Sequence, residues 1–382
     1  MFDLLRLSGQ TLSRMLVLCF FITVHVAFVE TRSVLVETGK SQKINEEKLK
    51  AFEQRFLDMI GIKEKPQGSK KLAVPQYMLD LFNSRVRDPN YISTNMIFQD
   101  FATTANTVRS FYHKDLPQRN SGTNVRSKRS VFLDMKSIPW HEELVKAEFR
   151  VYKNRSTMES SHFINLYKIL PSGERELLDS KTLNGSSFGW LSYDILEAVK
   201  HWHKSPKDNY GIELELMNEN GHYADASHIH FDKPDWMNIE QWANHRPLFA
   251  VYSRDPKTHV HKKRERRNAS PSWKNYNGQC QRFDLVIDFV GHLKWDWVIQ
   301  PSTYSAYLCK GKCVYPLVDH MNATNHAMVQ TLVHSLKKYR DKIPPACCVP
   351  TELESVMLLL QKGNSVELKD YPDMSVTSCG CR

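Results

Sequence analysis

Apolar positions in the N-terminal part of the chain recur at helical spacing. Between residues 43 and 62 they follow one another mostly at intervals of three or four, with charged residues in the gaps: Ile44, Leu49, Phe52, Phe56, Met59 and Ile60. This spacing predicts an amphipathic helix with one face available for packing. A second, shorter helix is predicted over Pro75 to Phe82.

In the middle of the chain, alternation of apolar and polar residues replaces the helical spacing. Four short segments show it: Phe149 to Tyr152, Ile164 to Tyr167, Ile212 to Leu216 and Leu248 to Tyr252. The alternation predicts an antiparallel β region over residues 144–255, with one helical stretch near 190–202. Residues 117–130 are polar and then basic, which predicts an exposed linker ahead of this region.

A short apolar run near the N-terminus predicts export. Arg6 and Arg14 precede the run Met15 to Val29, which is shorter than the ~20 residues of a membrane-spanning helix. We expect a signal peptide over residues 1–29 and a secreted, extracellular product. An uncleaved membrane anchor is the alternative. Secretion places the cysteines in an oxidising compartment, where disulfides are their usual fate.

Cysteine usage divides the chain near residue 270. Cys19 stands alone near the start, and the other seven of the 8 cysteines follow residue 279: Cys280, Cys309, Cys313, Cys347, Cys348, Cys379 and Cys381. The composition of the 382 residues, 41% hydrophobic and 25% charged, excludes collagen, a wholly disordered chain and a many-pass membrane protein.

The basic excess lies mostly outside the cysteine-rich tail. The whole chain has a formal charge of +10, whereas residues 268–382 carry 12 Lys and Arg against 10 Asp and Glu. This distribution weakens a nucleic-acid interpretation, and no nucleic-acid partner is expected.

Arg264, Arg266 and Arg267 lie in the most basic run and fit Arg-x-(Lys/Arg)-Arg, the pattern of secretory convertases. Because those proteases have acidic pockets, cleavage after Arg267 is predicted, with a solvated basic loop as the alternative. A second candidate site has the same pattern and consists of Arg126, Lys128 and Arg129.

The cysteine spacing favours a threaded ring. Bonds from Cys309 to Cys379 and from Cys313 to Cys381 would close a ring of eight residues, which a bond from Cys280 to Cys348 could thread. Gly311 and Gly380 would keep side chains out of the opening. Six cysteines allow many other pairings, and spacing alone does not select one.

Cys347 is not used by the three bonds of this ring. An odd cysteine in a secreted chain suggests a disulfide between two chains. The alternative use of these cysteines, a zinc site, needs thiolates and is disfavoured by an oxidising compartment.

Three stretches of the tail resemble the bone morphogenetic protein branch of the transforming growth factor-β superfamily: residues 322–333 (NATNHAMVQTLV), 347–353 (CCVPTEL) and 379–382 (CGCR). Three earlier stretches are similar to the propeptides of that branch: residues 77–82 (YMLDLF), 106–111 (NTVRSF) and 246–250 (RPLFA). The resemblance covers nearly the whole chain after the signal sequence.

The resemblance implies a propeptide over residues 30–267 and a growth factor domain over 268–382. For the growth factor domain it implies a small all-β cystine knot with two β fingers and one wrist helix, expected over Asn325 to Tyr339. For the propeptide it implies an α+β structure with N-terminal amphipathic helices and a β-rich arm. It also implies the three intrachain disulfides of the ring model and an interchain disulfide at Cys347.

The resemblance further implies a dimeric growth factor, homodimeric or heterodimeric, that assembles receptor serine/threonine kinases. The positions matching type I receptor contacts are Trp295, Trp297, Pro316, Leu317, Val318, Asp319 and Met328. Those matching type II receptor contacts are Gln300, Pro301, Met357, Leu359 and Leu368. This chain has Trp295-Asp296-Trp297 where the branch usually has Trp-x-x-Trp, so the type I match is weakest there.

Other expected partners are the chain's own propeptide, extracellular antagonists, and heparan sulfate at the basic residues 336–342, where a solvated helix end is the alternative. Four glycan acceptor sequences begin at Asn154, Asn184, Asn268 and Asn322.

No cofactor, metal or catalytic activity is expected, because the tail has no Gly-x-Ser-x-Gly motif and its thiols are committed to disulfides. Two alternatives to a growth factor are a secreted hydrolase and an antagonist that occupies receptors or ligands without signalling.

Overall fold

The computed structural model describes residues 47–48, 50–58, 62, 73–86, 105–115, 127–154, 162–184, 188–224, 228–229, 231, 233–256 and 278–382. The chain has two compact units, residues 1–67 and 68–382. In the first unit, residues 47–48 and 50–58 form helix α1, in which Leu57 is buried and Phe52 is 68% exposed. The first predicted helix is thereby confirmed over these residues. The predicted signal sequence and Ile44, Leu49, Met59 and Ile60 lie outside the described residues.

The second unit begins with helix α2 (Gln76–Val86), which is followed by an arm, residues 105–256. The arm contains strands β1 (Thr107–Tyr112), β2 (Lys114–Asp115), β3 (Lys128–Phe132), β4 (Glu143–Lys153), β5 (His162–Ile169), β6 (Arg175–Leu183), β7 (Gly189–Asp194), β8 (Ile212–Asn218) and β9 (Leu248–Arg254), and helices α3 (Leu196–Lys204) and α4 (Ile239–Ala243). The four alternating segments of the sequence lie in β4, β5, β8 and β9, so these predictions are confirmed.

Two sheets pack face to face in the arm. Strands β2-β3-β8-β5-β6 form a five-stranded sheet, and β1-β9-β4-β7 form half of a seven-stranded sheet. Apolar residues from both sheets and from α3 share one core, in which Phe149, Leu166, Trp202 and Leu214 are almost fully buried. In β8 the inward apolar residues alternate with the outward Glu213 and Glu215, as expected for a sandwich. Strand β9 is instead apolar on both faces, because its other face packs in the cluster that contains α2.

Two sequence predictions for the arm are wrong in part. The helix predicted near 190–202 is Leu196–Lys204, because residues Gly189–Asp194 pair with β4 instead. The predicted linker 117–130 ends early, because Lys128 and Arg129 belong to β3 and pair with β8. Lys128 lies opposite Glu215 in this ladder, and its ammonium group forms an ion pair with that carboxylate at 2.9 Å.

The C-terminal knot region, residues 278–382, consists of two fingers and one helix. Finger 1 contains β10 (Gln281–Phe283), β11 (Val286–Asp288), β12 (Val298–Gln300), β13 (Thr303–Ser305) and β14 (Leu308–Lys310). Helix α5 (Asn325–Ser335) follows, and finger 2 is the long hairpin of β15 (Cys348–Lys362) and β16 (Ser365–Cys381).

The knot region and the arm share one sheet. Strand β16 pairs antiparallel with β15 on one side and with β1 on the other, which gives the order β12-β15-β16-β1-β9-β4-β7. The contact between β1 and β16 is called the seam below. It joins segments more than two hundred residues apart in sequence through a continuous backbone ladder.

Candidate functional site

Three disulfides hold the knot region together. They join Cys280 to Cys348, Cys309 to Cys379 and Cys313 to Cys381, with Cα–Cα distances of 5.4, 5.7 and 5.9 Å. These are the pairs that the family resemblance implied, and the predicted cystine knot is confirmed. Each bridge spans a long loop, for which the chain-entropy model gives a stabilisation of roughly 4 kcal/mol.

The opening of the ring is filled by backbone. A Cβ atom on Gly311 would lie 2.2 Å from the carbonyl oxygen of Gln279 and 2.7 Å from the amide nitrogen of Cys280. Gly311 also has a φ of +133°, which residues with a side chain rarely adopt. The segment that carries Cys280 therefore passes against the ring where glycine leaves room for it.

The knot geometry disfavours the zinc alternative. The sulfur atoms of Cys280, Cys313 and Cys381 lie within 4.8 Å of one another. Each of the three is bonded to another cysteine, so none offers the thiolate that zinc requires. Their proximity is a consequence of the crossing bridges.

Cys347 is an exposed free thiol beside the knot. Its backbone N–H donates to the carbonyl of Arg382 and its carbonyl accepts from the N–H of Arg382, both at 2.9 Å. The neighbouring Cys348 is already bonded within the chain. The backbone thus holds the free sulfur of Cys347 at the surface, where a second chain can reach it.

Helix α5 presents an apolar face that no other part of the described residues covers. Thr324 caps its N-terminus by accepting from the N–H of Ala327, which is buried with Thr331. On the outer side three apolar residues are between 43% and 61% exposed: Met328, Val329 and Leu332.

The wrist helix was predicted to reach Tyr339, and this end is wrong. The helix stops at Ser335, where Leu336 turns to extended backbone. A hydrogen bond of 2.6 Å joins the ring of His334 to the carbonyl of Ile343. Because this bond holds the following loop back against the helix end, the chain turns well before Pro344.

The predicted type I contacts fall into two groups. Pro316, Val318 and Asp319 are exposed in the segment before α5, and Leu317 there is half-buried. The two tryptophans of finger 1 are buried: Trp295 is 6% exposed and stacks on Trp297, with ring centroids 5.2 Å apart. In this chain the tryptophans are therefore core residues of the finger.

The predicted type II contacts differ in exposure. Gln300 and Pro301, at the end of β12, are half-buried, and so is Met357 of β15. Leu359 and Leu368 are buried, in one cluster with Met78, Leu81 and Phe82 of α2 and with Val108 of β1.

Aromatic residues fix α2 on the sheet. The hydroxyl groups of Tyr77 and Tyr252 are hydrogen-bonded to each other, and the guanidinium of Arg150 lies 4.4 Å from the centre of the Tyr77 ring. Burial, with the nearby Tyr252 and Glu148, raises the pKa of Tyr77 well above its ordinary value, so the phenol is neutral at physiological pH. The helix is thereby anchored over Leu359 and Leu368.

A buried ionic cluster lies at the seam. Arg109 of β1 is directly opposite Glu367 of β16, and its Nε donates to that carboxylate at 2.7 Å. Its two terminal nitrogens donate to both oxygens of Glu142, at 2.5 and 2.9 Å. These three side chains are at most 2% exposed.

The cluster keeps its charges although it is buried. Burial alone would raise the pKa of Glu367, but Arg109, with Lys362 and Lys369, holds it below its ordinary value. Burial alone would lower the pKa of Arg109, and Glu367 and Glu142 hold it above its ordinary value. The sequence gives only an indirect sign that Arg109 is buried. Thr107, Arg109 and Phe111 lie on the same face of a strand, because side chains two residues apart point to the same side, and Phe111 faces the core.

Two family models match this chain in succession. The TGF-beta propeptide model covers residues 35–252, and the transforming growth factor beta like domain model covers residues 279–381. The chain belongs to the transforming growth factor-β superfamily. Its propeptide region includes α2 and the arm, and its growth factor region includes the knot. The seam is therefore a contact between these two regions.

Curated relatives assign the branch within the superfamily. The chain is similar to bone morphogenetic protein 4 of Suncus murinus, Bos taurus and Rattus norvegicus, at 32% identity in each case. The alignments cover 97% of this chain and 99% of each relative. The chain is thus a precursor of the bone morphogenetic protein branch, a growth factor of that type.

The predicted processing and glycan sites differ in what the structure describes. Arg264, Arg266, Arg267, Arg126 and Asn268 lie outside the described residues. Among the other acceptors, Asn184 and Asn322 are exposed and Asn154 is half-buried. Within the part of the chain that the structure describes, no helix is both long and apolar enough to cross a bilayer.

Proposed function

We propose that this chain is the precursor of a secreted, dimeric growth factor of the bone morphogenetic protein type. After removal of residues 1–29, a convertase cuts after Arg267 and separates the propeptide from residues 268–382. The observation that carries the proposal is a complete cystine knot with an exposed free thiol, Cys347, beside it, the one free cysteine among the residues that the structure describes.

The dimer buries what a single growth factor region leaves exposed. Met328, Val329 and Leu332 of α5 form an apolar surface, which favours association with a second copy before any covalent bond forms. The Cys347 thiols of two copies then form the interchain disulfide. Heterodimers with a related chain use the same surface.

The dimer acts by bringing two kinds of receptor kinase together, and no catalysis by the ligand itself is needed. Type I receptors bind the segment Pro316 to Asp319 and Met328, which is largely exposed in this chain. Trp295 and Trp297 support this site from within the finger. Type II receptors bind the other finger surface, at Gln300, Pro301, Met357, Leu359 and Leu368.

The propeptide covers part of the type II surface in the precursor. Leu359 and Leu368 pack under α2 and β1 and offer no surface to a receptor in this arrangement. We infer that the propeptide shields these apolar residues during folding and export, and that it must leave before they bind a receptor.

The mass of the secreted product tests cleavage and dimerisation together. We expect a fragment beginning at Asn268 that has twice the monomer mass without reductant and the monomer mass with it. In Cys347→Ser we expect monomer mass under both conditions. A wild-type fragment that stays single without reductant, or that carries free knot thiols, would contradict the proposal.

A receptor-dependent reporter in responsive cells separates a growth factor from an antagonist. We expect the purified dimer to activate the reporter, and the Cys347→Ser protein to need a higher concentration. Receptor occupancy without activation would favour the antagonist. Turnover of a substrate that is lost on mutating one histidine would favour the hydrolase.

A further inference from the structure

The seam carries two ion pairs that join the propeptide region to the growth factor region. Arg109 and Glu142 come from the propeptide region and meet Glu367. The second pair joins Lys369 of the growth factor region to Asp255 of the propeptide region at 2.9 Å. Their side chains are nearly as inaccessible, at 12% and 7% exposure.

On the growth factor side, the charges share one face of one strand. Glu367 and Lys369 are two residues apart in β16, so they point to the same side of the sheet. Tyr371 follows on that face, is buried, and donates to Glu367 at 3.5 Å. The opposite face, with Val366 and Leu368, packs in the cluster that contains α2. One face of the growth factor strand therefore carries a carboxylate, an ammonium group and a phenol at every second position: Glu367, Lys369 and Tyr371.

On the propeptide side, the charges are complementary and held in place. Ser253 donates to Glu142 and accepts from Arg109. The N–H and the carbonyl of Asp255 are bonded to the side chain of Asn106. The ring of His141 also approaches Asp255, at 3.7 Å. These contacts position a cation opposite Glu367 and an anion opposite Lys369.

We propose that this two-charge pattern selects the partner, so that the propeptide region associates with a growth factor strand carrying an acidic residue opposite Arg109 and a basic residue two positions later. The inference rests on the proposed function, since only cleavage turns the two regions into separate partners. A neutral residue in place of Glu367 leaves the Nε of Arg109 without this acceptor. A basic residue there places like charges together without solvent.

The selection follows from the cost of burying an unpaired charge. An Arg–carboxylate pair that loses one member leaves the other buried without compensation, whereas replacing all members by neutral residues of similar size is tolerated. Growth factor strands of other chains that differ in this pattern would form the same backbone ladder but would carry that cost. The backbone ladder thus supplies affinity and the charges supply discrimination.

The test compares three forms of the full precursor, cleaved during secretion: wild type, R109M/E142Q, and R109M/E142Q/E367Q. The readout is the apparent Kd between propeptide and growth factor, from co-elution in size-exclusion chromatography over a dilution series. We expect R109M/E142Q to raise the Kd at least tenfold, because Glu367 is then buried without Arg109. Adding E367Q should return it to within about threefold of wild type, since the three buried members of the cluster are then neutral. Lys362, which pairs with Glu367 at 3.8 Å, is 28% exposed and stays accessible to solvent.

An exposed pair in the same sheet provides the matched control. Glu143 and Arg254 are also cross-strand partners, but their side chains are 62% and 54% exposed. We expect E143Q/R254M to leave the Kd unchanged, because an exposed pair contributes little.

Two results would overturn the inference: R109M/E142Q binding like wild type, or E367Q failing to restore association. If R109M/E142Q is not secreted, recovery of secretion by E367Q supports the inference and continued failure overturns it. The reporter response to the wild-type growth factor, freed from its propeptide, tests the proposed function separately and does not depend on these variants.

Discussion

Gly311 shows how a single residue without a side chain permits the knot. The carbonyl of Gln279 occupies the place that a Cβ at position 311 would need. Backbone atoms that are fixed by neighbouring disulfides cannot move aside as the end of a flexible side chain could. The requirement for glycine at this position is therefore steric as well as conformational.

We expect Gly311→Ala to reduce the yield of secreted, disulfide-linked dimer at least tenfold, because the Cys280 segment cannot pass the ring. The measurement is the amount of dimer on a non-reducing gel. Gly363→Ala is the matched control: Gly363 also has a positive φ, of +59°, but has no atom within 4 Å of the added Cβ. This variant should lose only roughly 1–2 kcal/mol of folding stability, the cost of placing a residue with a Cβ in the left-handed conformation. Equal yields from both variants would contradict the steric explanation.

At the scale of elements, α2 acts as the cover of finger 2. We expect Phe82→Ala to leave a cavity beside Leu359 and Leu368 and to destabilise this packing by about 3–5 kcal/mol. The measurement is hydrogen exchange of β15 and β16 amides in the precursor, which should become faster near these leucines. Gln76→Ala, at an exposed position of the same helix, should change the exchange little. Unchanged protection in Phe82→Ala would show that α2 does not stabilise the finger.

The second convertase motif lies partly in strand β3, which should protect it from cleavage. Lys128 is paired with Glu215, and the hydroxyl of Ser130 donates to Glu213. Val131 is fully buried. A protease that binds an extended substrate must first detach this strand from β8. We expect cleavage after Arg129 to be at least tenfold slower in the folded precursor than in urea-unfolded chain, as measured by mass of the products. Equal cleavage rates in the folded and unfolded chains would show that β3 does not protect this site.

At the scale of the whole molecule, the seam makes association depend on pH. The pKa of Glu367 is held below its ordinary value of 4.5 in the folded chain. A carboxyl with a lowered pKa contributes stability that is present above the unfolded pKa and is lost as pH falls through the folded pKa. We therefore expect Glu367 to favour association at neutral pH, with a contribution that begins to fall near its ordinary pKa of 4.5 and is gone once the pH is below its lowered pKa in the folded chain.

The check is the difference in propeptide affinity between wild type and Glu367→Gln as a function of pH. The difference should be constant around neutral pH and should shrink in acid, because protonated Glu367 resembles glutamine. The exposed control Glu143→Gln should show little difference at any pH. A difference for Glu367→Gln that persists unchanged in acid would contradict a role for its charge.

The sequence by itself determined the elements whose signals are local. Periodicity located α1, α2 and the four alternating strands, and cysteine spacing with its two glycines favoured the ring, which the family resemblance then fixed. Boundaries were less accurate where a neighbour decided them: Trp190 joins a strand because β4 pairs with it, and α5 ends early because Ile343 bonds to His334.

Only the tertiary structure decided which element packs against which face. No local pattern indicates that β1 adds to the edge of finger 2, or that Arg109 meets a carboxylate more than two hundred residues away. Burial of the finger 1 tryptophans and of Leu359 and Leu368 has the same origin. Periodicity reports which face of an element avoids water, whereas the partner of that face is chosen by shape and charge across the whole fold.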